Sequence, residues 1–433
     1  MRSPSIPRGL ALLAALSGCS ANDRRVATYD VIAAPGPSAV RAASPSEAFT
    51  LTELWKQLLD PRDVPYVHAL ARAPSGDVAL AVSLDTVLSI TVFDPTGRVR
   101  WTTVIDQLGS GFLRFGGMGF DRASNLVLGG VFASVLRVSE KAVLEEPEAP
   151  FILSLDGEGT PRWAKAIQGD DLSTPTLRMG SHGGSILLAG TFGSTVSLGD
   201  TPLVGSGQSN GVSGSLYLSR LDLSGAVQWA RAFPGKALVN DLTDDANGHA
   251  ILSADYFGSF TVPGFPALEL DDTQARGGLL LRADGAEQVR WLREGGARGI
   301  AAASDGSLFF CAGPWERFGQ KRLGSIRPNG TSNLDKALGL LSCTGVAMSG
   351  SGRLLVVGGV QLGEPDPTTG GIRAAARVLD VTRDGDVISG VTLPLPSIGL
   401  SGVLVADGTS GALVAGAFVD GDRASLALYR LSR

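Results

Sequence analysis

The amino-acid sequence predicts an all-β fold built from many short strands. Glycine is very frequent, with 58 of 433 residues, and the long Glu-, Lys- and Leu-rich stretches typical of helices are missing. A short motif with a turn glycine and a tryptophan recurs along the chain, and a second motif with an apolar run alternates with it. The chain is longer than one simple hydrophobic core usually allows, so these observations favour an array of repeated sheets.

The first motif is a tight turn that leads into an outer strand. Its clear copies read FDPTGRVRW, LDGEGTPRW, LDLSGAVQW and ADGAEQVRW, and they end at Trp101, Trp163, Trp229 and Trp291, at steps of 62, 66 and 62 residues. Two weaker copies have lost the tryptophan and end at Leu334 and Ser389. The Asp before each turn glycine is expected to accept hydrogen bonds from turn amides rather than to bind a metal.

The second motif has seven copies, one more than the first. They begin at Ser75, Ala123, Gly183, Asn247, Asp305, Ser351 and Ser410. The chain ends in SLALYRLSR, where a further turn would begin, and LTELWKQLL near the other end carries Trp55 in the register of the outer strands. An N-terminal strand is therefore expected to complete the C-terminal sheet.

These patterns predict a seven-bladed β-propeller of four-stranded blades over residues 47–433, its ring closed by that N-terminal strand. Six or eight blades is the alternative if a weak copy is not a blade. Small sheets with two apolar faces are expected to stack on their neighbours. The repeat tryptophans are predicted to fill the space between blades, and they are Trp55, Trp101, Trp163, Trp229 and Trp291.

The N-terminus predicts export. Residues 1–18 combine Arg2 and Arg8 with the short apolar run GLALLAAL, as in a signal peptide. LSGC, which ends at Cys19, resembles the lipobox of bacterial lipoproteins, and this implies that Cys19 is lipid-modified; a plain secretory signal is the alternative. Residues 19–46 are rich in Ala, Pro and Ser and are predicted to be a flexible tether.

Several stretches resemble a known family of repeats. GTFGSTVSLGDTPL, GVSGSLYLSRLDLSGAVQWARAF and DANGHAILSADYFGSFTVPG are similar to the bacterial cell-surface β-propeller repeat called the SBBP repeat. The resemblance is clear over residues 116–294 and fainter from Ala301 onward. It implies a propeller exposed in the cell envelope but no particular activity. FDPTGRVRW is more distantly similar to the tryptophan-docking repeat of pyrroloquinoline-quinone propellers and of outer-membrane assembly lipoproteins.

The cysteines argue against a quinone enzyme. Those enzymes usually place a disulfide of adjacent cysteines beside the cofactor, whereas Cys311 and Cys343 are far apart in this sequence. No cofactor is therefore predicted. A disulfide between Cys311 and Cys343 and a pair of buried free thiols both remain open.

Signals for catalysis or metal binding are weak. The three histidines, His68, His182 and His249, are not at metal-ligand spacing, and common catalytic motifs are absent. DLTDDANG groups acidic side chains but lacks EF-hand spacing, so a solvated turn is predicted, with calcium as the alternative; its polar residues are Asp241, Asp244, Asp245 and Asn247. No catalytic residue and no metal site is predicted.

One loop is a candidate ligand-binding loop. GPWERFGQKRL, residues 313–323, groups aromatic and cationic side chains that could stack on a sugar or contact an acidic partner, namely Trp315, Arg317, Phe318, Lys321 and Arg322. The alternative is a hairpin with a solvated basic side.

The charge and the repeats together indicate the class of function. A formal net charge of -5 argues against nucleic-acid binding. We predict a monomeric, non-catalytic binding or scaffold lipoprotein that recognises an envelope protein or a glycan. It would be held at the outer membrane by its lipid alone, on the periplasmic or the exterior side. The alternatives are a propeller enzyme acting on a polysaccharide and a scaffold in outer-membrane protein assembly.

Overall fold

The computed structural model describes residues 26–28, 50–59, 66–84, 87–108, 111–173, 175–180, 183–199, 201–207, 214–270, 276–284, 288–312, 321–340, 342–361, 374–393, 403–406, 411–420 and 423–432. Within these ranges the regular secondary structure consists of strands alone, and this confirms the all-β class. No helix that could cross a membrane is found in them. The predicted signal peptide and Cys19 lie outside the described residues.

The strands begin with β1 (Val26–Thr28), β2 (Thr50–Leu59), β3 (Tyr66–Arg72), β4 (Val78–Leu84), β5 (Val87–Phe93), β6 (Val99–Leu108), β7 (Leu113–Phe120) and β8 (Leu126–Val138). Next are β9 (Lys141–Leu155), β10 (Pro161–Ala166), β11 (Gln168–Gly169), β12 (Thr176–Met179), β13 (Ile186–Phe192), β14 (Thr195–Leu198), β15 (Thr201–Val204) and β16 (Gly214–Leu221). They continue with β17 (Val227–Asp244), β18 (Ala250–Phe260), β19 (Leu268–Glu269), β20 (Gly277–Asp284), β21 (Gln288–Glu294), β22 (Arg298–Ala302), β23 (Leu308–Ala312) and β24 (Lys321–Ile326). The last are β25 (Ser332–Leu340), β26 (Ser342–Met348), β27 (Leu354–Gln361), β28 (Ala374–Val381), β29 (Val387–Thr392), β30 (Val403–Ala406), β31 (Ala412–Asp420) and β32 (Arg423–Ser432).

The strands form antiparallel runs of four, each with a first, second, third and outer strand. The runs are β3–β6, β7–β10, β12-β13-β16-β17, β17-β18-β20-β21, β22–β25, β26–β29 and β30-β31-β32-β2. Pairing of β6 with β8 merges the first two runs into one eight-stranded sheet, and β17 joins the next two because it is the outer strand of one run and the first strand of the following run. A small separate sheet has the order β11-β14-β15.

The two ends of the chain meet in one sheet. β2 pairs antiparallel with β32, and Trp55 lies opposite Leu428. Val26–Thr28, inside the segment predicted as a tether, pairs with the other edge of β2. The sequence gives no signal for this short strand, because the surrounding composition is typical of a linker.

The hydrophobic core lies between successive runs. Alternate residues of one strand point to opposite faces, so a strand such as β8 buries Leu128 against the preceding run and Val127 against the following one. The cluster that contains Trp55 and Leu428 also contains Val67 and Leu80, so the last run packs on the first. The first strands also contact one another in chain order, and β30 contacts β3.

The turns explain the repeated glycines. In FDPTG, the carboxylate of Asp94 accepts hydrogen bonds from the backbone N–H of Thr96 at 2.8 Å and of Arg98 at 3.0 Å, and Gly97 has a φ of 88°. Turns of this kind join first to second strands and third to outer strands. Since the runs are antiparallel, both sets lie at one end, which we call the turn end. The chain crosses between runs at the opposite end, which we call the loop end.

The outer strands dock on the turns of the next run. Gly159 lies against Trp101, Gly225 against Trp163 and Gly330 against Trp291. Two residues after the tryptophan, Thr103 and Lys165 donate hydrogen bonds to the carbonyls of Gly159 and Gly225 at 2.9 and 2.8 Å. The repeated motif therefore forms the same contact between neighbouring runs at several places along the chain, and we call this contact a joint.

Candidate binding surface at the loop end

A cluster of three rings lies where the first two runs begin. Tyr66 is the first residue of β3, His68 follows on the same strand, and Phe115 is on β7. The ring centroids of Tyr66 and His68 are 4.7 Å apart, and those of His68 and Phe115 are 5.2 Å apart. Tyr66 is 59% exposed. The cluster thus presents an aromatic surface to solvent at the loop end.

The cluster is uncharged at neutral pH. Burial lowers the pKa of His68 from 6.5 to about 4. The His68 Nε2 atom lies 2.8 Å from the hydroxyl of Ser83 on β4, and this contact holds the ring in place. A neutral imidazole between two aromatic rings can contribute stacking and a hydrogen bond, but it brings no net charge.

Arg114, next to Phe115 in the sequence, stacks on a different ring. The Arg114 guanidinium carbon lies 4.8 Å from the centroid of the Phe112 ring, within range of a cation–π contact. Arg114 is exposed and directly precedes Phe115 on β7. Consecutive residues of a strand point to opposite faces, so the guanidinium is not counted with the rings. The cluster itself offers aromatic faces and a phenol hydroxyl, a set suited to binding a polar ligand with flat apolar faces.

The acidic residues of the first strands do not form an acid–base pair. In the described parts of these strands the carboxylates are Asp241 and Asp244, both on β17. The Asp241 Oδ1 atom accepts from Arg178 at 3.2 Å and from the Leu242 N–H at 2.8 Å, and Oδ2 accepts from the Ile300 N–H at 2.9 Å. Asp241 therefore links three neighbouring first strands.

The acidic segment that suggested calcium is divided between two places. Asp241 faces the first strands, whereas Asp245 lies in a turn and accepts from the N–H groups of Asn247 at 2.9 Å and His249 at 3.0 Å. Asp245 therefore stabilises the turn. No group of three or more His, Cys, Asp or Glu side chains able to hold a metal is found in the described part of the chain.

The predicted ligand-binding loop lies mostly outside the described residues, which exclude Trp315, Arg317 and Phe318. Lys321 and Arg322 begin β24, and Arg322 is ion-paired with Asp335 on β25. The structure therefore brings Arg322 to an acidic neighbour within its own sheet.

The two cysteines form a disulfide. Cys311 on β23 bonds to Cys343 on β26, with a Cα–Cα distance of 6.1 Å and a sequence separation of 32. The bond joins two successive runs near the loop end. It is not the adjacent-cysteine disulfide implied by the distant resemblance to quinone propellers.

The Tyr66, His68 and Phe115 cluster is absent from the residues singled out in the sequence. Tyr66 and His68 are two positions apart on an ordinary strand, and Phe115 belongs to another run. A usable signal was present: aromatic residues at the start of two successive first strands, which adjacent sheets bring side by side.

Comparison with known proteins gives little further information. No protein-family model matches the chain, and no curated protein matches it significantly. Among solved structures it is similar to the quinone-bound aldose sugar dehydrogenase of Streptomyces coelicolor, with 12% identity, 88% of this chain and 99% of that chain covered, and a TM-score of 0.38. It is also similar to a Dyadobacter fermentans protein of unknown function, with 12% identity, 88% of this chain and 99% of that chain covered, and a TM-score of 0.43. The Pyrococcus horikoshii acylaminoacyl peptidase is 9% identical, with 83% of this chain and 52% of that chain covered, and a TM-score of 0.48. At these values the likeness does not extend to activity or ligands.

Proposed function

We propose that the seven runs of four strands are the blades of one closed β-propeller. Two observations support this: the pairing of β2 with β32, and the contact of β30 with β3, which returns the series of first strands to its beginning. A closed ring leaves no run with an unprotected apolar face. The proposal agrees with the resemblance of the repeats to cell-surface propeller repeats.

We propose that this propeller is a non-catalytic binding module whose ligand is a glycan. The observation that carries the proposal is the uncharged cluster of Tyr66, His68 and Phe115, in which Tyr66 is exposed. Aromatic side chains bind the apolar faces of sugar rings with little loss of side-chain entropy, while the phenol of Tyr66 can hydrogen-bond sugar hydroxyls.

A glycan is favoured over a protein because the exposed apolar surface is small. A stable protein interface buries roughly 800 Å² on each partner. In the described residues the exposed large apolar side chains are scattered over β3, both ends of β6, and β15, and they are Tyr66, Val99, Leu108 and Val204. They do not make one continuous patch.

The test is binding to a panel of bacterial envelope polysaccharides, followed by titration of the best ligand. Tyr66→Ala is expected to weaken binding by about 10-fold or more, as for an aromatic anchor. Leu108→Ala, which removes another exposed apolar side chain, is expected to leave the affinity unchanged. An absence of glycan binding, or equal binding by Tyr66→Ala, contradicts the proposal. Release of new reducing ends from the bound polysaccharide would favour an enzyme instead.

We further propose that Cys19 carries the lipid that holds the protein at the outer membrane. The proposal rests on the LSGC sequence and the preceding apolar run. Labelling cells with a radioactive fatty acid is expected to mark the wild-type protein and not Cys19→Ser. A labelled Cys19→Ser protein, or an unlabelled wild type, contradicts it.

A further inference from the structure

A second site lies at the turn end, opposite the aromatic cluster. A pocket of about 380 Å³ opens between the run of β21 and the following run, and it is lined by His249, Arg282, Arg290, Trp291, Pro328 and Asn329. The equivalent contact at Trp163, which we call the reference joint, has the same repeat positions, so each residue of the pocket has a counterpart there.

In the reference joint the tryptophan is fully satisfied. Trp163 on β10 lies opposite Ser154 on β9, a small residue. The indole Nε1–H of Trp163 donates to the carbonyl of Leu223 at 3.1 Å, two residues before the turn glycine Gly225.

In the pocket joint an arginine takes that acceptor. Trp291 lies opposite Arg282, and Arg282 Nη1 donates at 2.7 Å to the carbonyl of Pro328, two residues before Gly330. Trp291 Nε1 and Arg282 Nε consequently have no hydrogen-bond partner in the described residues, although both atoms are buried. Unpaired N–H dipoles under the surface make the pocket wall electropositive.

His249 adds a donor at the pocket. Arg282 Nη2 lies 2.7 Å from His249 Nδ1, and in the tautomer in which Nδ1 accepts this hydrogen bond the ring N–H is on Nε2. The carboxylate of Asp245, ion-paired with Arg282, lies 3.0 Å from the same Nδ1. Among the described residues, a carboxylate oxygen approaches Nε2 at Asp284 Oδ1, and the distance of 3.7 Å is beyond hydrogen-bond range.

Arg290 completes the set. It binds Asp284 through Nε and Nη2, and this hydrogen bond lowers the pKa of Asp284, which therefore stays ionised and occupied. Arg290 Nη1 takes no part in that contact. The two described carboxylates at the site, Asp245 and Asp284, are thus paired with an arginine, and within the described part of the chain the open donors have no protein acceptor.

We infer that this pocket binds a small organic carboxylate. Its oxygens accept hydrogen bonds from Arg290 Nη1 and His249 Nε2, and its apolar part lies against Pro328 and Trp291. The buried N–H groups of Trp291 and Arg282 contribute potential rather than direct contact. The site is separate from the aromatic cluster, so it does not depend on the proposed glycan function.

The test is calorimetric titration of the full chain with benzoate, acetate and inorganic phosphate. Benzoate is expected to bind more tightly than acetate, because it also covers the apolar wall. Arg290→Gln is expected to weaken benzoate binding by about 10-fold or more, through loss of a charge-assisted hydrogen bond. His249→Asn installs the residue that Asn125 provides in the reference joint, and we expect it to weaken binding several-fold.

The matched control is Arg162→Gln. Arg162 directly precedes Trp163 as Arg290 precedes Trp291, and it also faces a carboxylate, Asp121, at 3.9 Å. Its affinity for benzoate is expected to equal that of the wild type. The inference is overturned if benzoate does not bind, if Arg290→Gln binds it as well as the wild type while remaining folded, if Arg162→Gln loses as much, or if phosphate binds more tightly than benzoate.

Discussion

The joints at Trp163 and Trp291 are built from the same repeat but differ in their hydrogen bonds and in whether a pocket remains. Both place a tryptophan of an outer strand against the turn glycine of the next run. At the first joint, the small Ser154 side chain leaves the turn carbonyl of Leu223 free, and the indole N–H donates to it. At the second, Arg282 takes the carbonyl and a pocket remains. One cross-strand substitution thus separates a structural joint from a candidate ligand site.

The comparison also shows how the second joint supports a buried cation. Arg282 is 8% exposed and its ion-pair partner Asp245 is fully buried. In the Trp163 run the corresponding turn residue, Asp121, is also buried but receives the turn N–H groups and the Asn125 amide. The chemistry of the pocket therefore depends on a buried ion pair that the reference joint lacks.

The largest difference between the two joints is expected in the free energy of unfolding when the buried turn carboxylate of each is removed. Asp245→Ala leaves Arg282 as an unpaired buried cation and is expected to lower the free energy of unfolding by about 3–5 kcal/mol. Asp121→Ala loses the hydrogen bonds of its turn and a 3.9 Å contact with Arg162, a cation that solvent reaches, and is expected to lower it by about 1–2 kcal/mol. Urea denaturation measures both. Adding Arg282→Leu to Asp245→Ala is expected to recover much of the loss, and equal losses for the two single variants would show that no buried charge is at stake.

Methyl groups at the turn glycines test the fit of each tryptophan. Gly330→Ala would place Cβ 2.9 Å from Trp291 Cβ and Cγ, at the rigid base of the side chain, and is expected to cost about 2–3 kcal/mol. Gly225→Ala would meet the far edge of the Trp163 ring at 3.0 Å, where a small shift suffices, and is expected to cost about 1–2 kcal/mol.

The control for backbone strain is Gly352→Ala. Gly352 has a φ of 76°, and an added Cβ would meet nothing within 4 Å. Its cost is therefore that of the left-handed conformation alone, about 1 kcal/mol. A larger loss for Gly352→Ala than for Gly330→Ala would contradict the close packing of Trp291 on its turn.

At the loop end, acid is expected to lower the free energy of unfolding through His68. The pKa of His68 is about 4 in the folded chain and 6.5 is its ordinary value, so the unfolded chain takes up the proton first as the pH falls. The stability present above pH 6.5 is therefore lost as the pH falls from 6.5 towards 4. We expect a loss of about 2 kcal/mol, less than the full shift implies because the ring is partly solvated.

His68→Gln is the variant that isolates this effect. It keeps a hydrogen-bonding group near Ser83 and cannot take up a proton, so its stability is expected to change less between pH 7 and pH 4. Desolvation raises the pKa of Asp170, but hydrogen bonds from Ser194 and Thr195 lower it to about 2, so that group acts below this window. Chemical denaturation at several pH values measures the difference; parallel curves for wild type and His68→Gln would count against a buried neutral imidazole.

The smallest expected difference concerns the indole N–H groups. Trp163→Phe leaves the Leu223 carbonyl without its donor, whereas Trp291→Phe removes a donor that has no acceptor in the described residues. Both lose similar ring volume. Trp163→Phe is therefore expected to cost about 1 kcal/mol more in the free energy of unfolding, the value of one hydrogen bond. Equal costs would mean that the Trp291 indole has found another acceptor.

Much of the fold could be predicted because its signals are local. An Asp that accepts two amides and a glycine in the left-handed region mark each turn, so Asp94 and Gly97 place the ends of β5 and β6 from sequence alone. The seventh apolar motif lacks a turn motif of its own, and this predicts the place that β2 occupies beside β32.

Other parts of the fold depend on tertiary context. Pro234–Gly235 is typical of a turn, yet β17 continues through it, since Gly235 adopts a φ of 132° and the strand can bend from one run into the next. The long hairpin of β8 and β9, with its pairing to β6, likewise has no local signal.

The sites were less predictable than the fold. His68 and Phe115 meet only because β3 packs beside β7, and neither strand carries an unusual motif. The pocket depends on Arg282 reaching a carbonyl of the following run, a contact that requires the register between sheets. The composition of the loop with Trp315 predicts a binding site, but the loop lies mainly outside the described residues, so its role stays a prediction.

The pairing of β2 with β32 sets the order in which the protein can be completed during synthesis. Glu53 on β2 and Tyr429 on β32 are 376 residues apart in the chain, and their side chains lie 3.4 Å from each other. A ribosome must therefore add the 376 residues that separate these two positions before β2 can meet this partner. Until then, the edge of β2 that pairs with β32 is open to other chains, a period in which a chaperone that covers extended segments would reduce aggregation.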